Sequence, residues 1–320
     1  MKSRSKLGML LALGLAAATA RAQNWPDKPV RMIVPFGAGG GTDIQGRLLA
    51  QKFYASMGQT FVVDNRPGAA GLIGAELAVK SPPDGYTILF TTASLSVNVT
   101  LYKKTLTFDP LKDLAPVCWV SSVPLVLVTH PSVPVKSVKE LIALAKRTGK
   151  LNAGSNGAGT TSYLAVEMFK QATGANVTNV PYKGGGPAVT ALISGEVDFE
   201  FGTALAVAPH VKSGKVRALA VTTAKPSKVY PDLPTMTSIY SGFDVDNWYA
   251  MFMPAGTPKP IIDKLHAEIL KGLKSADVEE FMAKEGGQPV GSTPEELTEM
   301  FRREIAKYAR VIESAHIVVQ

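Results

Sequence analysis

With one cysteine, four histidines and 19% charged residues, this 320-residue chain is poor in the groups that carry covalent or metal chemistry. Cys118 alone cannot form an intramolecular disulfide, so stability must come from burial. Among Val117, Trp119 and Val120 it reads as a small buried hydrophobe. The histidines are scattered and no C-x-x-C or H-x-x-x-H spacing occurs, so neither a dedicated metal site nor a cofactor is expected. No apolar run reaches the ~20 residues that a bilayer-spanning helix needs. Basic residues form no block and no stripe interleaved with aromatics, which argues against nucleic acid as a partner.

What is present begins with the first residues. Lys2, Arg4 and Lys6 precede an uncharged run from Leu7 to Ala18, and Ala20-Arg21-Ala22 offers an A-x-A cleavage site. Residues 1–22 are therefore expected to be a signal peptide cleaved after Ala22, with the mature chain in the periplasm. No cysteine follows the apolar run, so a lipid tether is not expected. Removing Lys2, Arg4, Lys6 and Arg21 from the 34 bases leaves 30 against 26 acids, and the formal +8 falls to +4. A mild positive field favours encounter with anionic solutes. About 300 residues with 46% hydrophobic content suffice for a large core and two domains.

Short β-rich runs alternate with helical periods. Val30–Val34, Phe61–Val63 and Tyr86–Phe90 read as strands, with helices over Ile44–Met57 and Gly71–Lys80, which predicts a parallel sheet covered by helices. A second unit of the same style starts near Pro124. Its strands are Leu125–Val128, Leu151–Gly154, Val177–Val180, Val197–Phe201 and Ala218–Val221. Its helices are Val138–Lys146, opened by a capping box of Ser137 and Glu140, then Ser162–Thr173 and Pro187–Ser194. The chain is expected to cross back between Pro226 and Asp246. Thr257-Pro258 and Thr293-Pro294 then open two amphipathic helices over Ile261–Leu273 and Leu297–Ser314.

Both units place a glycine-rich loop between a strand and a helix: Pro35 to Asp43 and Gly154 to Thr161. Glycines let backbone approach a ligand, and the free N–H groups and dipole of a helix start favour an anion. Neither loop ends in Gly-Lys-Ser/Thr, so neither is a phosphate-binding P-loop. The Gly37–Gly41 loop partly fits a dinucleotide fingerprint, with Asp64 ending the second strand, but Thr42 stands where the third glycine belongs. Ala153-Gly154-Ser155-Asn156-Gly157 resembles a nucleophile elbow, which would make Ser155 the nucleophile of a secreted hydrolase with His210 and Asp198 as candidate partners. His210 also reads as a surface residue and Asp198 as a strand-end cap.

The order Pro35-Phe36, Gly39-Gly40, Asp43, then Gly68-Ala69-Ala70-Gly71, Pro82-Pro83-Asp84-Gly85-Tyr86, Pro181-Tyr182-Lys183-Gly184, Trp248-Tyr249 and Pro254-Ala255-Gly256-Thr257-Pro258 resembles the Bug-type receptors of tripartite tricarboxylate transporters. That resemblance spans the chain beyond the leader. It implies an α/β, two-lobed periplasmic-binding-protein fold (type 2-like), each lobe a mostly parallel sheet flanked by helices, with residues 23–122 and 240–320 in one lobe and 123–239 in the other. It further implies a receptor that closes on a small organic carboxylate and delivers it to the membrane components of the transporter; with no supported triad, metal cluster or cofactor loop, a monomer without enzymatic activity is expected. The cleft is expected to draw on Phe36, Gly39, Gly40, Thr42, Asp43 and Ser94 from one lobe, and on Ser155, Gly157, Gly159, Thr160, Thr161, Tyr182 and Thr203 from the other. Asp43 is expected to orient its loop by accepting N–H bonds. Gly37-Ala38, Leu95, Tyr163 and Ser238 depart from the residues common in that family at positions expected near the cleft, so the ligand stays open. Phe36 and Tyr163 suit either an aromatic acid or core packing.

Overall fold

In the computed structural model, which describes residues 25–227, 229–314 and 317, the chain repeats one local event: a short β-branched strand runs into a loop, and the loop opens a helix. The leader assigned to residues 1–22, and its cleavage site, lie outside the described residues. The first half comprises β1 (Val30–Val34), α1 (Gly41–Met57), β2 (Phe61–Asn65), α2 (Leu72–Val79), β3 (Thr87–Thr92), α3 (Ser94–Leu101) and the short α4 (Pro110–Asp113). A long strand, β4 (Leu114–Thr129), leads to α5 (Val138–Thr148), β5 (Leu151–Ser155), α6 (Thr161–Thr173), β6 (Val177–Pro181), α7 (Gly185–Ser194), β7 (Phe199–Thr203), α8 (Ala204–Lys212) and β8 (Arg217–Val221). The chain returns through β9 (Asp246–Pro254) and ends with α9 (Lys259–Leu273), α10 (Ala276–Glu285), β10 (Gln288–Pro289) and α11 (Pro294–Ser314).

Strand pairing makes this a two-lobed α/β fold. β1 lies between β2 and β3, all parallel, with Val30 opposite Phe61 and Met32 opposite Ile88. β5 lies between β6 and β7, again all parallel. Two antiparallel strands join the trios in the order β2-β1-β3-β9-β4-β7-β5-β6. β4 pairs with β9 from Leu114 to Pro124, and from Leu125 onward with β7 and β8. The change of partner falls at Pro124, which has no N–H to give to a ladder.

Alternating side chains put each sheet to use on both faces. Val30, Met32 and Val34 join one buried cluster and Ile33 another. Phe53 of α1 meets Phe61 edge-on at 5.0 Å between centroids. In the second half Phe169, Phe199, Phe201 and Phe243 form a chain of ring contacts at 5.5–6.3 Å, each such pair worth about 0.5–1.5 kcal/mol beyond its burial. Tyr308 and Ile312 from the end of α11 pack into this second core, so the last helix reaches across the joint.

Several expectations shift in detail. The apolar run around Cys118 is the first part of β4, so Leu125–Val128 was only that strand's end. The fourth strand of the second half, β7, starts at Phe199 rather than Val197, because Asp198 caps the entry by accepting the Asn152 N–H at 2.7 Å. The capping box at α5 is half formed: Ser137 accepts from the Glu140 N–H at 3.2 Å, but Glu140 reaches the N–H of Lys136 rather than that of Ser137. At α11 the reciprocal pair Thr293 and Glu296 is complete. α9 begins one residue later than Thr257-Pro258 suggested, with Pro258 in the capping place and the Thr257 hydroxyl donating to the Pro254 carbonyl.

Candidate functional site

Five parallel strands, three in one half and two in the other, would each be a dead end without the helix that follows. Their carboxyl ends converge: β1 and β3 from the first half and β5, β6 and β7 from the second lead to the starts of α1, α3, α6, α7 and α8 around one pocket between the halves. Gly40-Gly41-Thr42, Ser94, Thr160-Thr161, Gly184-Gly185 and Thr203 bring those five starts to its wall. This is where ligands bind in open α/β sheets, because the strands end there and the helix starts aim their free N–H groups inward. Three of the five, at α1, α7 and α8, have no side-chain cap on their first-turn donors, while at α3 the Ser94 N–H reaches Thr92 Oγ1 at 3.3 Å. The cavity measures about 70 Å³, several times the roughly 10–15 Å³ that one water requires. Among the described residues that line it, Lys183 is the only Asp, Glu, Lys or Arg. The fixed dipoles of the helix starts give the pocket a positive character, each start contributing roughly 0.3–1 kcal/mol toward an anion.

The first loop is shaped from behind. Asp43, 3% exposed, accepts the Gly39 N–H at 2.9 Å, Arg47 Nε at 3.0 Å and Asn65 Nδ2 at 3.1 Å, while Asn65 Nδ2 also donates to the Phe36 carbonyl at 3.0 Å. Burial pushes the Asp43 carboxyl up, but the hydrogen bonds from Arg47, Gly39 and Asn65 outweigh it and hold it below the usual range. Asp43 does not line the pocket. Its N–H bonds orient the loop, and Gly39 meets the geometry with φ at 78°.

The second loop is shaped from within. Thr160 is the N-cap of α6: its hydroxyl oxygen accepts the Tyr163 N–H at 3.2 Å and its O–H donates to the Gly157 carbonyl at 2.7 Å. Gly159, at φ 82°, brings this loop against the first half so closely that a β-carbon there would stand 2.6 Å from Asn98 Oδ1 and 3.0 Å from the Ala70 Cβ. At another rim a β-carbon on Gly37 would stand 4.0 Å from the Lys183 carbonyl oxygen.

Of the residues singled out in the sequence, Phe36, Gly40, Thr42, Ser94, Thr160, Thr161 and Thr203 line the pocket; Gly39, Asp43, Ser155, Gly157, Gly159 and Tyr182 do not. Ser155 is fully buried beneath the loop, its hydroxyl 3.5 Å from the Val180 carbonyl. Tyr182 donates to Glu196 at 2.7 Å, and burial together with that carboxylate pushes its hydroxyl up to about 12. The expected cleft set left out Thr92, Asn156, Asn247 and Tyr249, which also line the pocket, as do Gly37, Ala38, Gly41 and the segment from Lys183 to Pro187. Asn247 and Tyr249 come from β9, the strand that crosses back, and only their period-two spacing on one strand face hints at a shared orientation. Leu95 packs in the core, and Tyr163 and Ser238 stay outside the lining.

The elbow and fingerprint alternatives find little in this geometry. Ser155 is sealed from the pocket, His210 sits in the last turn of α8, and Asp198 caps a strand. Asp64 is engaged by Arg31 and Arg66.

A family model described as "Tripartite tricarboxylate transporter family receptor" matches residues 46–317. The chain belongs to that family. BugT of Bordetella pertussis is 39% identical over 310 residues, covering 96% of this chain and 95% of that protein. Among solved structures, R. palustris Rpa4515 with adipate is 35% identical with a TM-score of 0.88, covering 92% of this chain and 99% of that one. MatC from Rhodopseudomonas palustris with bound malate is 29% identical with a TM-score of 0.84, covering 90% of this chain and 100% of that one. As a member, this chain is a solute-binding receptor with the family's periplasmic-binding-protein fold.

Proposed function

We propose that this receptor captures a small organic carboxylate in the periplasm, after release of a leader at Ala22, and hands it to the membrane components of its transporter without chemical change. The observation that carries the reading is the convergence of five helix starts, from both halves, on a pocket whose described lining residues include no Asp or Glu. A carboxylate there meets backbone donors and hydroxyls and no opposing carboxylate. The adipate and malate held by two relatives belong to the same class of ligand.

Residues 23–122 and 240–320 form one lobe and 123–239 the other in this reading, close to where β4 changes partner and β9 begins. Phe36, Gly40, Thr42, Ser94, Thr160, Thr161 and Thr203 contact the ligand. Asp43, Gly39, Gly157 and Gly159 hold the loops that present it, and Ser155 and Tyr182 support the second loop from below. Contacts available only when both lobes meet the ligand favour the closed form, a difference in affinity between two conformations.

A thermal-shift screen of mono-, di- and tricarboxylates tests the proposal. At 100-fold excess over Kd a true ligand stabilises by about 2.7 kcal/mol. No shift with any carboxylate, or consumption of the compound, would overturn it.

A further inference from the structure

The back wall of the pocket is made by the strand at which the two lobes join. Asn247 lies on β9 opposite Val123, one position from the Pro124–Leu125 change of sheet partner. It is 4% exposed and lines the pocket. Its Oδ1 accepts the hydroxyl proton of Thr161, the first residue of α6, at 3.0 Å. Two residues along the same strand face, Tyr249 is buried, and its hydroxyl stands 2.5 Å from where a β-carbon on Gly41, the first residue of α1, would be. The Asn247 amide is beside that hydroxyl, offsetting part of the rise in pKa that burial imposes on it. One amide therefore stands between the helix start of one half and the tyrosine that underlies the helix start of the other.

We infer that Asn247 is the positioning residue that couples the two anion-presenting helix starts, holding α6 through Thr161 and α1 through Tyr249 so that a ligand seated on one finds the other in register. The inference rests on the carboxylate reading for its ligand but not for its geometry. An amide suits this place: it offers an acceptor to Thr161 and a donor toward Tyr249 at once, and it is uncharged beside an anion. A carboxylate would keep the acceptor and bring a repelling charge.

The test uses the full chain, with adipate, malate and citrate as probes. Thr161→Val breaks one link and Asn247→Ala both, and since either interrupts the relay, each should weaken the probe that binds best by about tenfold or more, at least the size of one lost hydrogen bond. The double variant should lose little more than the worse single one, because both break the same relay. Additive losses would mean two independent contacts and would overturn the coupling. Asn247→Asp should bind less tightly than Asn247→Ala, since it adds a repelling charge and removes the donor; equal or better binding would also count against the relay.

A ligand-independent arm separates the two readings. Spin labels at Tyr54→Cys and Lys146→Cys, both exposed and one in each half, report the distance between lobes while the native Cys118 stays buried. Without ligand, Asn247→Ala should shift that distance distribution longer and broader than the wild type. Superimposable distributions would overturn the relay even if all three probes bind. Absence of any binding by the wild type would instead overturn the carboxylate reading and leave the distances to decide the relay.

Discussion

The start of α1 is held in place by a cage behind it, whereas the start of α6 is held by its own first residues. Asp43 gathers Gly39, Arg47 and Asn65 around a buried carboxylate, and the loop's pocket face keeps its donors free. Thr160 instead spends its hydroxyl on the Tyr163 N–H and the Gly157 carbonyl, so the second loop is rigid on its own and depends on Gly159 to meet the opposite half. Two chains of the same βα type thus reach the same pocket with different vulnerabilities. The first is stabilised electrostatically and the second sterically.

The largest effect should come from the steric side. Gly159→Ala adds a β-carbon 2.6 Å from Asn98 Oδ1 at a φ of 82°, so it obstructs contact between the halves as well as straining the backbone. Ligand affinity measured by calorimetry should fall by about 100-fold or more, since closure itself is blocked. Gly39→Ala is the control in the other loop. Its φ is 78° but nothing lies within 4 Å of the new carbon, so only the strain of roughly 1–2 kcal/mol should register. Equal effects from the two would erase the distinction between the loops.

Electrostatic and local capping come next. Asp43→Ala leaves the Gly39 N–H and Asn65 amide without their buried acceptor and should cost about 2–3 kcal/mol in urea unfolding at pH 7. Thr160→Ala removes an N-cap and should cost about 1 kcal/mol. Their pH dependence should differ too. The Asp43 carboxyl is held below its ordinary 3.8, so in acid the unfolded chain binds the proton first and the stabilisation disappears as pH falls through the native value. The gap between wild type and Asp43→Ala should therefore hold from neutral pH down to about pH 4 and close below it, whereas the Thr160→Ala gap should stay flat.

The same comparison explains what the sequence made legible. β1 and β5 each run straight into a glycine-rich loop and then a helix, so the two units and the helix starts that meet at the pocket were readable without coordinates. β4 was not, because Pro116 and Pro124 punctuate it and proline ordinarily argues against an inner strand; here one of them marks the change of partner. Ser155 and Tyr182 sat in the right motifs, but strand pleating turns Ser155 into the interior, and Tyr182, one residue past β6, bonds to Glu196. Asn247 and Tyr249 escaped because their place in the pocket depends on β9 crossing between two units more than 80 residues away, as the 86-residue separation of Thr161 and Asn247 shows. Glu200 was equally hidden: a carboxylate on an inner strand, fully buried, pushed up by that burial to about 8. No local pattern announces it.

If helix starts from both lobes hold an anion, a matched acid and amide must differ in affinity, and calorimetry measures that difference directly. The compound giving the largest thermal shift should be titrated beside its carboxamide, which keeps the shape and removes the charge. The account predicts that the acid binds and that the amide binds at least about 100-fold more weakly, a difference near 2.8 kcal/mol. Equal affinity of acid and amide would contradict it.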